Sequence, residues 1–138
     1  MRIAWRVSVI LLALLHCQGK KASFAKLHVL NDAIRTPKSR ESLVNIVEGR
    51  SDALSYVLRV EPAFTRALDF VVGEKLAIWG VSSKRTTLIL TEAGLKAALA
   101  VDGQEDVLVE ERAFLSGPAK KLTEGFVNKL LLTGKRLL

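Results

Sequence analysis

Between residues 60 and 99 the spacing of apolar positions changes from a helical period to a strand period and back again. After Glu61-Pro62, apolar residues recur every three or four positions, which places them on one face of a helix. They are Phe64, Ala67, Leu68, Val71 and Val72. Proline is favoured at the first helical position, and Gly73 is expected to end the helix in a left-handed conformation. The segment therefore predicts a helix over Pro62–Val72.

Two runs of strand-forming residues follow this helix. Leu76–Val81 and Thr86–Leu90 are rich in β-branched and large apolar side chains, which favour strands. The polar residues between them, Ser82-Ser83-Lys84-Arg85, predict the turn of a β-hairpin. Thr91 is a good N-cap for a further helix. Its apolar positions are Leu95, Ala98 and Leu99. A helix, a basic-tipped hairpin and another helix, in this order, indicate a winged helix-turn-helix whose wing is the hairpin.

Helical spacing predicts three more helices before this unit. The first is N-terminal, and its apolar face is formed by Ile3, Val7, Ile10, Leu11 and Leu14. A second helix is expected over Ala22–Arg35 with a cap near Ser23, and a third from about Ser39 to Val47. A short strand is expected at Tyr56-Val57-Leu58.

After the wing, the polar joint Ala100–Gln104 is expected to separate the helix that follows Thr91 from the rest of the chain. Another amphipathic helix is expected from about Val107 to Leu115, before Gly117-Pro118. A final helix is expected to begin at about Ala119 and to end at Gly134.

Length and composition set the fold class. The chain has 138 residues, of which 49% are hydrophobic and 25% charged, so it is globular and long enough for one modest core. We therefore predict a single domain over residues 1–138 of the α+β class, mostly α. It would consist of a winged-helix core over about residues 2–101 and a helical extension over about residues 104–133.

The N-terminus permits a second interpretation. Met1–Cys17 resembles a secretion signal, because it combines arginines, an apolar run and a cysteine. However, His16 stands where cleavage requires a small residue, and Lys20-Lys21 follow where export favours neutral sequence. These two features favour a core helix over a signal.

Cysteine usage and hydropathy indicate the compartment. Cys17 is the only cysteine, which excludes an internal disulfide and suits a reducing compartment, so a cytoplasmic location is expected. The sequence has no uninterrupted run of the roughly 18 to 20 apolar residues that a membrane-spanning helix needs. We therefore expect no membrane partner.

Catalytic patterns are not found in the sequence. There is no glycine-rich phosphate loop, and the only histidines, His16 and His28, adjoin apolar residues that favour positions at the edge of a core. Glu105-Asp106 and Glu110-Glu111 are adjacent in sequence, so the members of each pair point in different directions on a helix. We therefore expect no enzyme activity, no cofactor and no metal site.

The net charge of +7 is concentrated at the N-terminus, since residues 1–50 carry +6, residues 51–100 carry +1 and residues 101–138 carry none. A basic excess favours an anionic partner such as nucleic acid, although it also suits a solvated surface. The candidate nucleic-acid contacts are Lys84 and Arg85 at the wing tip, Arg66 on the preceding helix, and Lys20 and Lys21. Further cations that extend this surface are Lys26, Lys38 and Arg40.

The helix before the wing is poorly equipped to read bases. Its exposed side carries Arg66 together with Asp69 and Glu74, and it has no Asn, Gln or second Arg that could contact base edges. Contact with a DNA backbone is therefore favoured over sequence-specific recognition.

A protein interface is the competing class of function. Trp5, Trp79 and Phe114 are large side chains for one small core, and exposed aromatics near arginine are typical interface anchors. Each of them also suits the core. Self-association as a homodimer is compatible with this pattern.

Several longer motifs resemble a known family. They are KLHVLNDAIR (Lys26 to Arg35), RVEPAFTRALDFVVGEKL (Arg59 to Leu76), LTEAGLKAA (Leu90 to Ala98), ERAFL and KKLTEGFVNKLL. Over roughly Ile3 to Leu132 the chain resembles the middle components of bacterial three-component ABC-ATPase (ABC-3C) systems, which are Lamassu-like defence systems.

The resemblance implies a function for the whole chain. Such middle components are non-enzymatic winged-helix proteins that join an SMC/Rad50-like ABC ATPase to an effector, often a nuclease, in defence against phage or plasmid DNA. ATP would then belong to the partner. The alternative is a winged-helix DNA-binding transcriptional regulator, because such a protein could share the same patterns.

Overall fold

The structure, a computed structural model, describes residues 3–52 and 61–136. The helices in this part of the chain are α1 (Ile3–His16), α2 (Phe24–Ala33), α3 (Pro37–Val47), α4 (Pro62–Gly73), α5 (Glu92–Asp102), α6 (Val109–Ser116) and α7 (Glu124–Arg136). The strands are β1 (Lys21–Ser23), β2 (Ala77–Ser82) and β3 (Arg85–Leu90). The protein is therefore α+β and mostly helical, as predicted. The strand expected at Tyr56-Val57-Leu58 lies outside the described residues.

Helix α1 lies at the centre of the molecule. Every residue from Val9 to Leu15 is buried, so the helix has no solvent-facing side over this length. It packs against α4 and α5 along most of its length and also contacts α2, α6 and β3. The sequence predicted burial of one face only. The helix is apolar on all sides over this length, and such a helix is enclosed by the rest of the protein.

The three strands form one antiparallel sheet in the order β1-β3-β2. Strand β1 was not predicted, because three residues with one apolar side chain, Ala22, are too short to show a strand period. Ala22 pairs with Leu88 at the centre of β3. Ser23 ends β1, and its hydroxyl accepts a hydrogen bond from the Lys26 amide, which confirms the predicted cap. Helix α2 consequently begins at Phe24, not at Ala22.

The hairpin between β2 and β3 is tighter than its sequence suggests. Ser82 pairs with Arg85, so only Ser83 and Lys84 form the turn. Their φ angles are +50° and +64°. Hairpins of this kind usually place Asn or Gly at such positions, since a left-handed residue with a Cβ costs about 1 kcal/mol. The turn therefore holds Lys84 at the tip in an unfavourable backbone conformation.

The end of α4 differs from the prediction at Gly73. That residue is the last of the helix, and the left-handed conformation falls instead on Lys75, at a φ of +60°. The amide of Leu76 donates to the Val71 carbonyl, which turns the chain into β2. Thr91 caps α5 by accepting from the Gly94 amide, as predicted.

The helices after the hairpin differ from the prediction in their ends. Helix α5 continues to Asp102, through part of the expected polar joint. Residues from Pro118 to Lys121 form a 3-10 turn, so the last helix begins at Glu124 and not at Ala119. It also runs past Gly134 to Arg136, since a glycine inside a helix costs only about 1 kcal/mol relative to alanine and does not have to end it.

The C-terminal helices contribute to the same core as α1. The buried residues of these helices and of the segment between them are Phe114, Leu115, Ala119, Leu122, Val127 and Leu130. Helix α6 is also tied to earlier elements by polar contacts. The Trp5 indole N–H donates to Glu111 at 3.1 Å, and Arg40 pairs with Glu110 at 2.9 Å.

A buried polar cluster joins α1, α2 and the start of α4. Arg6 is only 1% exposed, and it donates to Asn31 at 2.8 Å and to Glu61. Arg35 donates to the other Glu61 oxygen at 3.0 Å. Burial lowers the pKa of Arg6, against the opposing effect of Glu61. Since Glu61 immediately precedes α4, the cluster fixes where this helix begins.

Candidate nucleic-acid interface

A groove of about 990 Å³ lies beside the hairpin, where β1, β3, α2 and the segment before α7 meet. Its cationic lining residues are Lys20, Lys21, Lys26, Arg85 and Lys120. Glu124 is the only carboxylate among the lining residues that the structure describes. We call this feature the basic groove. Its excess of cations makes it suited to an anionic chain.

The turn before β1 brings the first two lysines to the groove. Gly19 and Lys20 both take left-handed conformations, with φ of +71° and +55°, and they turn the chain sharply after α1. Lys21 then opens β1 opposite Ile89, while Ser23 lies opposite Thr87. Because paired residues share a face of a sheet and alternate residues return to it, Lys21 and Arg85 lie on the same face. That face lines the basic groove.

Glu124 makes hydrogen bonds that join two elements beside the groove. One of its carboxylate oxygens accepts from the Ser23 amide at 2.9 Å, and the other accepts from the Ser23 hydroxyl at 2.5 Å. These bonds fasten the start of α7 to β1. Lys120, which precedes α7, lines the same groove as Lys21. The carboxylate therefore has a structural role, and its single negative charge leaves an excess of four cations among the five Lys and Arg residues of the lining.

The structure brings together some of the predicted nucleic-acid contacts but not all of them. Lys20, Lys21 and Arg85 line the basic groove, and Lys84 is exposed at the adjoining hairpin tip. Arg66 is exposed on α4 and is not a lining residue.

The further cations also separate into two groups. Lys26 lines the groove, whereas Lys38 lies exposed on α3. Arg40 donates hydrogen bonds to Glu110 and to the Ile34 carbonyl. The sequence pattern did not indicate Lys120, because no local signal shows that it lines the same groove as Lys21, about 100 positions earlier in the chain.

The predicted aromatic anchors have three different environments. Phe114 is 6% exposed, so its side chain belongs to the core and offers no surface. The prediction that Phe114 is an interface anchor was therefore wrong. Trp5 is half-buried, and its N–H is bonded to Glu111. Trp79 is 42% exposed on β2, and it is the only one of the three with a large free surface.

The exposed side of α4 offers little for reading bases. Its exposed side chains are Pro62, Thr65, Arg66, Asp69 and Phe70. This side therefore carries one cation and one carboxylate, and it has no Asn or Gln side chain that could read a base edge.

The histidines and the cysteine have local partners. His16 lies 3.4 Å from Asp102, and the His28 ring packs edge-on against Phe24 and Phe64. Burial lowers the pKa of His28, so the neutral ring is favoured, and burial raises the pKa of the Cys17 thiol.

Neither a metal-binding cluster nor a membrane-spanning helix occurs in the described part of the chain. Within residues 3–52 and 61–136, no three His, Cys, Asp or Glu side chains converge on a position that suits a metal ion. No helix in these two segments is both long enough and apolar enough to cross a membrane.

Comparison with known proteins leaves the family open. The chain matches no family model, no curated protein and no solved structure.

Proposed function

We propose that this protein is a non-catalytic winged-helix subunit that holds a nucleic-acid backbone in its basic groove within a larger ATPase assembly. The observation that carries this proposal is the convergence of five cations, from distant parts of the sequence, on one groove. A backbone carries a regular row of phosphates, and lysine and arginine bind it without regard to sequence.

The arrangement of strands and helices supports the winged-helix assignment. The hairpin follows α4, and its second strand pairs with the short strand after α1, in the order β1-β3-β2. A winged-helix domain places its strands in this order and its hairpin at the side of the helices. The wing would then be the β2–β3 hairpin with Lys84 at its tip.

The conformation of the hairpin tip supports a functional role for Lys84. Unfavourable backbone conformations in native proteins concentrate at functional sites. The turn keeps a lysine where Gly or Asn would be more stable, at a φ of +64°. This lysine extends the charge of the basic groove toward the solvent.

The adaptor role follows from the family resemblance and fits the groove. We propose that the partner is an SMC/Rad50-like ABC ATPase, that it supplies ATP hydrolysis, and that a separate effector acts on the bound nucleic acid. Co-expression with an ABC ATPase encoded beside this chain is expected to yield a stable complex in size-exclusion chromatography. Separate elution of the two proteins at micromolar concentration would contradict the adaptor role.

A transcriptional regulator is the second candidate, and the exposed face of α4 argues against it. A regulator reads base edges, and this face offers Arg66 and Asp69 without an amide partner. Binding that depends strongly on base sequence, and that is lost in Arg66→Ala, would favour the regulator.

Charge reversal in the groove tests the proposed function. We expect Lys21→Glu with Lys120→Glu to weaken binding to a duplex of about 30 base pairs by at least tenfold, since two phosphate contacts become repulsive. Fluorescence anisotropy with a labelled duplex measures this change.

The control has the same change in net charge outside the groove. Lys38 and Lys96 are exposed on α3 and α5, and neither lines the groove. We expect Lys38→Glu with Lys96→Glu to reduce affinity less than threefold, because only the long-range field changes. Equal losses in the two double variants would show that net charge, and not the groove, binds the duplex.

A further inference from the structure

We propose that an exposed apolar surface on the other face of the sheet binds a segment of a partner protein that has large apolar side chains and carboxylates at one end. This surface, which we call the apolar strip, is formed by Val81, Trp79, Phe24 and Leu131, and the buried Val127 lies beneath it. The inference deepens the proposed adaptor role and rests on it, because it describes how the protein partner would be held.

Strand alternation places the strip residues Trp79 and Val81 on the face of the sheet opposite to Lys21. Trp79 lies opposite Leu88 in the sheet, and Ala22 lies opposite the same residue on the other side, so these three share one face. Lys21 follows the alternation to the opposite face, whereas Arg85, beside the hairpin turn, borders both the basic groove and the small cavity of the strip. Trp79 and Val81 thus lie on the face of the sheet opposite to Lys21, whose own face also carries the exposed Ile78.

The centre of the apolar strip is a cluster of aromatic rings. The rings of Phe24 and Trp79 are 6.1 Å apart, and each side chain is 42% exposed. Phe24 also lies 6.3 Å from Phe64, which is fully buried, and it packs edge-on against His28. The exposed rings therefore rest on a packed base. Rigid aromatic anchors of this kind contribute most of the affinity at protein interfaces.

A small cavity continues the apolar strip toward α7. Its volume is about 280 Å³, and its apolar lining is Phe24, Ala25, Val127 and Leu131. Small-molecule sites usually occupy about 300–1,000 Å³. The cavity lies at the lower end of this range and is open to the strip, so it has room for a large side chain of a protein segment.

Charge at one end of the apolar strip indicates the chemistry of the partner. Arg85 lines the cavity, and Lys84 follows Val81 at the hairpin tip. Glu124 also lines the cavity, but both of its oxygens accept hydrogen bonds from Ser23. Two cations, Arg85 and Lys84, against the one carboxylate leave the end near the hairpin with a net positive charge. A partner with carboxylates at the matching end would be favoured by charge complementarity.

The aliphatic part of the apolar strip favours protein over nucleic acid. Val81 is 78% exposed, and Leu131 and Val127 form the cavity wall. Bases are held by stacking on aromatic faces or arginine planes, and aliphatic side chains provide no such surface. Apolar side chains of a protein segment would cover the exposed parts of Val81, Trp79, Phe24 and Leu131.

Selection from random peptides tests which side chains the apolar strip binds. Displayed peptides of about 12 residues are selected on the wild-type protein and counter-selected on Val81→Asp. We expect enriched peptides to contain two or more large apolar residues and an Asp or Glu near one end. A labelled synthetic peptide of the consensus is expected to bind at least tenfold more weakly to Val81→Asp and to Trp79→Ser. In a Trp5→Phe background, binding of this peptide is also expected to change the fluorescence of Trp79.

Leu99→Asp is the matched control, because Leu99 is 52% exposed on α5 and lies outside the strip. We expect it to leave peptide binding unchanged. Duplex binding is measured on the same samples and is expected to be unchanged in Val81→Asp. Loss of peptide binding alone therefore reports on the strip, and loss of duplex binding alone reports on the basic groove.

Three results would overturn the inference. The first is the absence of enriched peptides, or peptides that bind Val81→Asp as tightly as the wild type. The second is a wild-type dimer in sedimentation that Val81→Asp dissociates, since the strip would then be covered by a second copy. The third is a loss of oligothymidine binding, with a probe of about 20 nucleotides, in Trp79→Ser without a loss of peptide binding.

Discussion

Replacing Arg6 with alanine is expected to lower the free energy of unfolding by about 3 kcal/mol, because it breaks a buried ion pair by removing one partner. Arg6 is 1% exposed, and its guanidinium bonds Asn31 and Glu61. It also lies 4.9 Å from the centre of the Trp5 ring. Alanine would leave Asn31 without this partner and would open a cavity beside α1. The melting temperature is expected to fall by about 10 °C, which circular dichroism would measure.

An exposed arginine provides the comparison for Arg6. Arg50 pairs with Glu48, and its side chain is 57% exposed. Surface pairs contribute about 0–1 kcal/mol, so Arg50→Ala is expected to change stability by less than about 0.5 kcal/mol. If the two alanine variants lose the same stability, the buried cluster does not hold α4 to α1.

Replacing Gly94 with alanine is expected to destabilise the fold by about 3 kcal/mol, although alanine is the better helix former. A Cβ at this position would lie 1.8 Å from the Leu76 carbonyl oxygen and 2.7 Å from a Leu90 methyl. The carbonyl cannot move freely, because it accepts the Thr91 amide at 3.1 Å. The start of α5 would therefore have to shift away from β2. Urea unfolding followed by circular dichroism would measure the loss.

A second glycine provides a control, because its replacement by alanine is expected to change the stability in the opposite direction. Gly73 ends α4 with nothing within 4 Å of an added Cβ, and its φ is not in the left-handed region. We expect Gly73→Ala to stabilise the protein by about 0.5 kcal/mol, because the unfolded chain loses conformational freedom. A gain in stability in Gly94→Ala as well would contradict the close packing of α5 on Leu76.

Local signals were sufficient for the elements whose ends depend on neighbouring residues. Pro62 and the spacing after it located α4, and Thr91 and Ser23 each accept the predicted capping bond. The two strands of the hairpin were located to within one residue, since their apolar runs are bounded by polar turn residues.

Features that depend on tertiary contacts could not be predicted. Strand β1 exists because Ala22 and Ser23 pair with β3, and no residue near them in sequence indicates this pairing. Arg6 is a cation in an apolar helix, and its burial depends on Glu61, which lies 55 positions away. Lys75 takes the left-handed conformation that Gly73 would adopt more easily, because the chain must turn after α4 to enter β2.

The candidate site could be predicted only in part. The basic N-terminal third and the hairpin tip indicated Lys20, Lys21, Lys84 and Arg85 from the sequence alone. Their convergence with Lys120 depends on the hydrogen bonds that fasten α7 to β1.

The salt dependence of duplex binding tests the central claim, that the basic groove binds phosphates, most directly. Each phosphate contact contributes about −0.9 to the slope of log K against log salt concentration. With the five groove cations, we expect a slope of about −4 for the wild-type protein. We expect a slope smaller in magnitude by about 2 for Lys21→Glu with Lys120→Glu, and no change for Lys38→Glu with Lys96→Glu. A wild-type slope near zero, or equal slopes in all three proteins, would contradict the claim.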